Sequence, residues 1–351
     1  MNKIKVLHIL PSNKFSGAEN VVCQIIAMFN ASESYEMFYC CPEGPIRKVL
    51  YEKKINFIPL TRFSKSNIKQ ILCEYKPTII HAHDMLASFL VAQVCGRTPY
   101  ISHIHVNNFY HLNGKFKSII YFFVALRANH ILWVSKSAFN AYCFHSFFQG
   151  KSTILYNVID RNSIIEKMNT DTKVYPYDIV YVGRLSEQKN PLRLIHVIEI
   201  IIEKIPDVRV AIIGQGSMEG EMKKQVNELG LEKNIEFLGF QNNPYKMMSD
   251  AKVMIMTSLW EGTPMCALEA LGLGLPIVST PTDGLCELVI DGQTGFLSNE
   301  DEILAEKCYK IITNPELQQR LSVATLSRAI ELLDVNAYKQ KLSKIYEHAL
   351  K

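Results

Sequence analysis

The chain has no hydrophobic run long enough to cross a membrane. Its longest uninterrupted apolar stretch, Ile119 to Leu126, is far shorter than the roughly 20 residues that a membrane-spanning helix needs. A secretory signal is also missing, because the first residues lead directly into the strand-like run Ile4 to Leu10. We therefore expect a cytoplasmic protein without a membrane-spanning segment.

Cysteine pairs are missing too. The nine cysteines include no Cys-x-x-Cys motif and their number is odd, which predicts free thiols in a reducing compartment. No short-period repeat and no low-complexity segment is present. With 351 residues, of which 48% are hydrophobic and 21% charged, the chain is long enough for two globular cores.

Charge is distributed unevenly along the chain. Residues 1–170 contain 19 Lys or Arg against 9 Asp or Glu, a net charge of +10, whereas residues 171–351 contain 19 against 25, a net charge of −6. A basic half attracts anionic partners, such as a nucleic acid, an anionic membrane leaflet or a lipid diphosphate. No recognisable nucleic-acid-binding module is present, so no nucleic acid is expected. A solvated surface without a partner is the alternative.

Short β-branched runs alternate with helix-length amphipathic runs, a pattern typical of parallel sheets with crossover helices. The predicted strands of the first half are Ile4 to Leu10, Glu36 to Cys40, Asn56 to Leu60, Thr78 to His81, Tyr100 to His103, Ile131 to Val134 and Ser152 to Leu155. Those of the second half are Asp178 to Val182, Arg209 to Ile213, Ile235 to Leu238, Val253 to Thr257 and Ile277 to Ser279. Each half is therefore predicted to be a doubly wound α/β sheet.

A polar segment from Asp160 to Pro176 separates the two halves. We predict one Rossmann-like domain over residues 1–165, a second over 175–333, and a cleft between them. A C-terminal helix over 334–351 follows, with apolar residues along one face: Val335, Tyr338, Leu342, Ile345 and Tyr346.

The most specific motif begins after a predicted strand and contains Glu261 and Glu269. Pro264 suits the first turn of a helix, and the glycines that follow suit its end. Free N–H groups around Thr263 to Cys266 would point outward with the positive end of the helix dipole, where a phosphate binds well. Two carboxylates beside such a helix suit a ligand with hydroxyl groups and phosphates, as in a sugar nucleotide.

A second motif supplies cations. Arg184 and Lys189 lie in one loop between a predicted strand and a predicted helix. A planar guanidinium and a mobile ammonium complement each other at two linked phosphates. Such fixed cations could neutralise a leaving diphosphate in place of a metal.

Together these motifs resemble glycosyltransferase family 4, whose members are retaining enzymes of the two-domain GT-B fold. Glu261 and Glu269 stand in Glu-Gly-x-Pro and Glu-Ala-x-Gly-x-Gly-x-Pro, as in that family's signature. Further matching segments span almost the whole chain: Ser16 to Glu19, Asn157 to Asp160, Gly183 to Asn190 and Gly214 to Gly216. The resemblance implies an acceptor-side first domain, a nucleotide-sugar-binding second domain, and a C-terminal helix that crosses back to the first.

The resemblance also implies roles for individual residues. In such enzymes the residue matching Glu261 contacts the donor sugar, the one matching Glu269 holds the ribose hydroxyls, and the one matching His105 lies against the sugar near the reacting carbon. No enzymic nucleophile is agreed for the family; the leaving diphosphate is the usual proposed acceptor of the proton, and no metal cofactor is required. The catalytic group implied is His105, Arg184, Lys189 and Glu261; the donor-binding group is Gly17, Gly183, Arg184, Lys189, Gly214, Gly216, Thr263, Pro264, Met265 and Glu269.

The first strand-to-helix turn offers a further wall for a diphosphate. Gly17 would let the backbone approach a phosphate closely at a helix N-terminus. Ser16 is predicted to cap that helix, with Glu19 completing a capping box.

The sequence also contains weaker signals for a metal site and for a dinucleotide-binding site. His81-x-His83 and His103-x-His105 would each place two imidazoles on one strand face, with Asp84 nearby, so a metal site is conceivable. Gly214-x-Gly216 suggests a dinucleotide fingerprint, but Glu219 occupies the position of its third glycine. Neither is favoured over the donor site.

Residues 108–128 mix cations with aromatic residues, including Phe109, Tyr110, Phe116 and Phe123. One interpretation is a surface segment that inserts its rings into a lipid headgroup layer. The alternative is a buried crossover helix, because Ile119 to Leu126 is apolar on every face.

The sequence thus predicts a glycosyltransferase that moves a hexose or N-acetylhexosamine from a UDP-sugar, with retention, to a lipid-linked saccharide of a bacterial surface polysaccharide such as a capsule, exopolysaccharide or lipopolysaccharide. We expect a peripheral position on the inner face of the plasma membrane. The rival hypotheses are a sugar-nucleotide epimerase of the same architecture and a non-catalytic nucleotide-sugar-binding protein.

Overall fold

The structure is a computed structural model that describes residues 3–105 and 114–351. It divides into two compact units, one formed by Met1–Val158 with Val335–Lys351 and the other by Ile159–Asp334. All nine cysteines lie in the described ranges and are free, as the sequence predicts.

The first unit contains a parallel sheet of seven strands in the order β3-β2-β1-β4-β5-β6-β7. These strands are β1 (Ile4–Ile9), β2 (Tyr35–Pro42), β3 (Phe57–Leu60), β4 (Ile79–His83), β5 (Tyr100–Ile104), β6 (His130–Trp133) and β7 (Ser152–Ile154). The helices between them are α1 (Gly17–Phe29), α2 (Ile46–Glu52), α3 (Lys65–Tyr75), α4 (Asp84–Ala92), α5 (Gly114–Arg127) and α6 (Lys136–Ala141). A 3₁₀ helix, His145–Lys151, precedes β7.

The second unit contains a parallel sheet of six strands in the order β10-β9-β8-β11-β12-β13. They are β8 (Ile179–Val182), β9 (Val210–Ile213), β10 (Ile235–Gly239), β11 (Val253–Met256), β12 (Ile277–Ser279) and β13 (Gly295–Leu297). The helices are α7 (Arg161–Asn169), α8 (Pro191–Lys204), α9 (Glu219–Glu228), α10 (Tyr245–Asp250), α11 (Met265–Leu273), α12 (Asp283–Leu288), α13 (Asp301–Thr313) and α14 (Pro315–Leu332).

Both sheets are buried on two faces, which explains why their central strands are nearly continuous apolar runs. All four side chains of β11, for example, are at most 1% exposed. In each sheet the chain reverses its direction of winding once, between β1 and β4 in the first and between β8 and β11 in the second. Loops at the carboxyl ends of strands flanking such a point are where ligands bind in doubly wound folds.

The final helix, α15 (Val335–Ala349), belongs to the first unit. Of its predicted apolar face, Tyr338, Leu342, Ile345 and Tyr346 are buried. The Tyr346 hydroxyl also lies 2.8 Å from Nδ1 of His81 on β4, so α15 covers one face of the sheet.

Three local predictions differ from the structure. The polar segment predicted to separate the two halves contains α7, which belongs to the second unit. The first part of the first unit therefore ends at Val158 and not at residue 165. The short strand β13 was not predicted, because three residues that begin with glycine give little signal. Ser16 precedes α1 but forms no side-chain cap; its hydroxyl instead donates to Glu19 Oε2 over 2.5 Å.

Candidate functional site

Two loops meet at the winding reversal of the second unit. The loop after β8, residues 183–190, and the loop after β11, residues 257–264, are joined through the backbone carbonyl and the side chain of Gln188. Leu259 N donates to Gln188 O over 2.8 Å, and Gln188 Nε2 donates to Trp260 O over 2.9 Å. The hydroxyl of Thr257 adds a bond of 3.0 Å to Asn190 O. The fold therefore holds the two predicted donor-binding motifs side by side.

A buried ion pair lies at the centre of this junction. Lys189 Nζ binds Glu261 Oε1, and the same oxygen accepts from the Ser258 hydroxyl over 2.6 Å. Only 12% of the lysine side chain and 5% of the glutamate side chain are exposed. Burial alone would lower the pKa of Lys189, but the adjacent carboxylate outweighs it and raises that pKa above its ordinary value. The sequence motifs did not reveal this pairing, which joins residues of different loops.

Arg184 lies in the same loop and is exposed. Within the described part of the chain it makes no ion pair, although it is close enough to Lys189 to act on its pKa. Its backbone oxygen accepts a bond of 3.0 Å from the Tyr181 hydroxyl, which fixes the backbone of the loop. The guanidinium is therefore a cation available to a ligand beside the ion pair.

The predicted glycines of this region have a packing role in the structure. A Cβ at Gly214 would lie 1.9 Å from Gly183 O, and one at Gly216 would lie 2.1 Å from Leu185 O. At Gly183 a Cβ would lie 3.0 Å from the Tyr181 hydroxyl. Gly214 and Gly216 thus allow the loop after β9 to lie directly against the backbone of the loop after β8.

The helix that follows the second loop is α11. The sequence predicts Pro264 in the first turn of this helix. The structure places Pro264 at the N-cap, directly before the first helical residue Met265, and Thr263 before it is buried. The first N–H groups of a helix have no partner within that helix, and they carry the positive end of its dipole. The helix ends as predicted, with Gly274 in the left-handed conformation at φ 74°.

Glu269 lies within α11 and is buried. Its Oε1 accepts a bond of 3.3 Å from the hydroxyl of Tyr245 on α10. Burial raises the pKa of Glu269 to about 7, although the Tyr245 hydroxyl and the Lys167 ammonium oppose the rise. Tyr245 and Lys167 were not predicted, since nothing in their local sequence connects them with the Glu269 motif.

In the first unit, the loop after β1 leads into Gly17 at the start of α1. A Cβ at Gly17 would meet nothing within 4 Å, so the space beside this residue is open. The glycine is therefore not required for packing, and its backbone is accessible to a ligand at the N-terminus of a 13-residue helix.

Five buried histidines cluster on one face of the first sheet: His8, His81, His83, His103 and His105. The strand register explains the cluster, because His8 pairs with His81 and His83 pairs with His103 on neighbouring strands. The sequence had pointed to four of them but not to His8, which stands alone on β1.

His105 follows β5 directly and is 6% exposed. Its backbone N–H donates to Asp84 Oδ1 over 2.9 Å, and Asp84 holds a positive φ of 66° at the start of α4. Burial lowers the pKa of His105 to about 3 and raises that of Asp84 to about 6. His105 is thus a neutral imidazole at neutral pH, held by its backbone as well as by its ring.

Helix α5 presents an apolar face to solvent. Phe116, Ile119, Phe123 and Leu126 are each at least half exposed, whereas Tyr121 and Val124 are buried against the sheet. Helix α5 is thus a crossover helix between β5 and β6, as one of the two interpretations predicts, but only one of its faces is buried. Phe109 and Tyr110 lie outside the described residues. Within residues 3–105 and 114–351, no helix combines the length and the apolar character needed to span a bilayer.

Two family models match the chain. Residues 15–163 match Glycosyltransferase Family 4 and residues 162–327 match Glycosyl transferases group 1. Together with the two Rossmann-like sheets, these matches support a glycosyltransferase of the GT-B fold.

Relatives of known name support the same class. The chain is 26% identical over 337 residues to UDP-Gal:alpha-D-GlcNAc-diphosphoundecaprenol alpha-1,3-galactosyltransferase of Escherichia coli, with 86% of each chain covered. It is 34% identical to N-acetylgalactosamine-N,N'-diacetylbacillosaminyl-diphospho-undecaprenol 4-alpha-N-acetylgalactosaminyltransferase of Campylobacter jejuni, over 43% of this chain and 41% of that enzyme. The chain spans about half the length of other curated relatives it matches.

Among solved structures, Anabaena Alr3699/HepE in complex with UDP and glucose is similar with a TM-score of 0.84. The sequence identity is 21%, and the likeness covers 97% of this chain and 98% of that one. At this identity the likeness concerns the fold, and it confirms the predicted two-domain architecture.

Proposed function

We propose that the chain transfers a hexose or N-acetylhexosamine from a UDP-sugar, with retention, to a lipid-diphosphate-linked saccharide in surface polysaccharide biosynthesis. The observation that carries this proposal is the meeting of Arg184, Lys189 and Glu261 beside the N-terminus of α11. The E. coli and C. jejuni relatives, whose names specify diphosphoundecaprenol acceptors, support the acceptor class.

In the proposed reaction the bond between the sugar C1 and the diphosphate oxygen breaks, and a bond from C1 to the acceptor oxygen forms on the same face. The leaving diphosphate takes the acceptor's proton. Arg184, Lys189 and the amide dipoles of α11 stabilise the negative charge that develops on it. No metal is required for this step.

The carboxylates and His105 orient the donor. Glu261 accepts from hydroxyl groups of the sugar and Glu269 from those of the ribose, since a carboxylate that accepts two neighbouring hydroxyl protons fixes their orientation. His105, as a neutral imidazole, bonds a hydroxyl of the sugar near the reacting carbon. Gly17 contributes a backbone N–H to the diphosphate at the start of α1.

The experiment is transfer by the full chain, with a panel of UDP-sugars and a short-chain lipid-diphosphate saccharide, analysed by mass spectrometry and by NMR of the new anomeric centre. Lys189→Ala should lose most of the transfer activity. Lys252→Ala is the control and should keep it, because Lys252 forms an ion pair with Asp178 in which 46% of the lysine side chain is exposed. An excess of EDTA should not lower the rate. Conversion of the donor alone would indicate the epimerase, and binding of UDP without turnover would indicate the non-catalytic protein.

We further propose that the exposed face of α5 attaches the enzyme to an anionic membrane surface. Phe116, Ile119, Phe123 and Leu126 recur at intervals of three and four residues, so they form one stripe, and exposed Phe147 of the neighbouring 3₁₀ helix extends it. The net charge of the first half adds attraction to anionic lipids. An acceptor anchored in a bilayer would then be reached along the membrane surface.

Co-sedimentation with vesicles of phosphatidylglycerol and phosphatidylcholine tests this attachment. Phe123→Glu should weaken binding, because it places a negative charge at the centre of the stripe. Ile330→Glu, at a residue 75% exposed on α14, is the matched control and should bind as the wild type does. Equal binding by the two variants would contradict the assignment of this face.

A further inference from the structure

The five buried histidines form two hydrogen-bonded rows. In the first, His105 Nε2 lies 2.8 Å from His83 Nδ1, and His83 Nε2 lies 3.0 Å from His8 Nδ1. In the second, the Tyr346 hydroxyl lies 2.8 Å from His81 Nδ1, and His81 Nε2 lies 3.2 Å from His103 Nδ1. The rows stand side by side, with the rings of His103 and His105 only 4.2 Å apart between centroids.

Within these rows, not every ring nitrogen can have a hydrogen-bond partner. Three neutral imidazoles carry three N–H protons, and the two bonds of the first row use two of them. The remaining proton must lie on His8 Nε2 or His105 Nδ1, and the other of these two nitrogens then keeps a free lone pair. Both atoms, and His103 Nε2 in the second row, are buried without a hydrogen-bond partner among the described residues. Unpaired buried polar atoms are costly, so an additional ligand is expected to complete them.

We propose that His83, His103 and His105 form a binding site for a divalent transition-metal ion of the zinc type. One ring nitrogen from each of the three lies within 4.8 Å of the others. Ligand nitrogens around a tetrahedral zinc ion lie about 3.4 Å apart, so movements of less than about 1 Å for each ring would gather them. Burial keeps imidazole neutral, and the neutral ring is the form that binds a metal.

The neighbouring group His8, His81 and His83 has similar spacing, and His83 is common to both. Two facts favour the group with His103 and His105. It contains two of the three unpaired nitrogens, and His105 is the only one of the five with measurable exposure, which gives an ion a route of entry. Asp84, whose Oδ1 accepts from His105 N, adds a carboxylate beside the ligands that offsets part of the charge of the ion.

The site has a consequence for the proposed transfer reaction, and only this part of the inference rests on that proposal. An ion bound to His105 occupies a ring nitrogen of the imidazole that the donor sugar is proposed to meet. Binding of the ion would therefore inhibit transfer reversibly, while the metal-free protein remains the active form. This differs from a catalytic metal, which EDTA would remove with loss of activity.

Binding is measured first without any substrate, so the result does not depend on the enzyme activity. The full chain is freed of metal with EDTA, and Zn²⁺ or Co²⁺ is titrated against a chromophoric chelator at neutral pH. We expect one equivalent to bind, with an affinity at least about tenfold lower in His103→Gln. His130→Gln is the matched control, because His130 is a partly buried histidine of β6 bonded to Thr153, and it should bind as the wild type does.

Several results would overturn the site. These are an absence of tight binding in the wild type, equal binding in His103→Gln, and a loss in His8→Gln without one in His103→Gln. If His103→Gln does not fold, X-ray absorption of the zinc-loaded wild type decides, since imidazole ligation supports the site and ligation by sulfur of the free cysteines contradicts it. In a separate assay Zn²⁺ should lower transfer and EDTA should restore it; if zinc binds without lowering transfer, the inhibitory role is wrong but the site stands.

Discussion

The buried pair of Lys189 and Glu261 gives the sharpest test of how the second unit is held together. Lys189→Met removes the ammonium and keeps most of the side-chain volume. Of the described residues that bond Glu261 Oε1, only Ser258 then remains, through its hydroxyl. Removal of one partner of a buried pair costs about 3–5 kcal/mol, because the remaining charge stays uncompensated. Since that hydroxyl stays, we expect about 3 kcal/mol, which lowers the melting temperature of a unit of this size by roughly 6–12 °C.

The two tryptophans allow each unit to be followed separately. Trp133 lies on β6 of the first unit and Trp260 immediately precedes Glu261 in the second. In a Trp133→Phe background, fluorescence during unfolding in urea therefore reports on the second unit alone. This separation is needed because a chain of two units need not unfold in one step. The double variant Lys189→Met/Glu261→Gln should recover part of the stability that the single variant loses.

The pH dependence of the stability difference is a second test of the ion pair. The pKa of Lys189 is raised above its ordinary value of 10.5, so its contribution to stability is fully present below that value and is lost as the pH rises through the folded pKa. The stability difference between wild type and Lys189→Met should therefore shrink in strongly alkaline solution. If Lys189→Met unfolds at the urea concentration of the wild type at neutral pH, or if the double variant is the less stable of the two, the pair does not stabilise the unit.

Three further predictions concern the same unit. The pKa of Glu269 is raised to about 7, so its carboxylate becomes charged as the pH rises through neutrality. Calorimetry should therefore show tighter UDP binding by the wild type at about pH 8 than at about pH 6. Glu269→Gln should not show this difference. Tyr245→Phe removes the hydroxyl that donates to Glu269 and should weaken UDP binding at neutral pH by roughly two- to tenfold, with unchanged affinity counting against that bond. Gly214→Ala should lower the melting temperature sharply, because its Cβ would lie 1.9 Å from Gly183 O, whereas Gly220→Ala on α9 meets nothing within 4 Å and should be neutral or stabilising.

The predicted strands agree closely with the structure because a buried parallel strand has a strong local signature. Runs such as Val253 to Met256 are apolar along their whole length and lie between turn residues. Helix α7 has no such signature, since only Ile164 of its residues is buried and the rest are mostly polar. It is stabilised by the carboxylate of Asp160, which accepts from two of its first N–H groups, and by its contact with α10 and α11. That contact depends on the fold, so the sequence pattern indicated a linker there.

The candidate site was predictable as a set of motifs but not as a set of contacts. The motifs carry glycine, proline and charge at fixed local spacings, and these are visible in one sequence. The bond from Lys189 to Glu261 joins positions 72 residues apart, and the bond from His105 to Asp84 joins positions 21 apart. Such pairs arise only when parallel strands place their carboxyl ends at one edge of a sheet, which the strand order decides and a local pattern does not.

The ion pair also changes the expected electrostatics of donor binding. Lys189 was predicted as a cation for the diphosphate, yet it is already neutralised by Glu261, which leaves Arg184 and the amide dipoles of α11 as the uncompensated positive groups of this junction. Under the proposed function, an intact UDP-sugar can compensate both partners when the pair separates. Its diphosphate binds Lys189 in place of Glu261, and a sugar hydroxyl binds Glu261 in place of Lys189. UDP alone offers only the first replacement and would leave a carboxylate buried without its cation. The ion pair should therefore make the intact donor bind more tightly than the UDP product. Both Lys189 and Glu261 have a new partner only while the sugar is attached to the diphosphate.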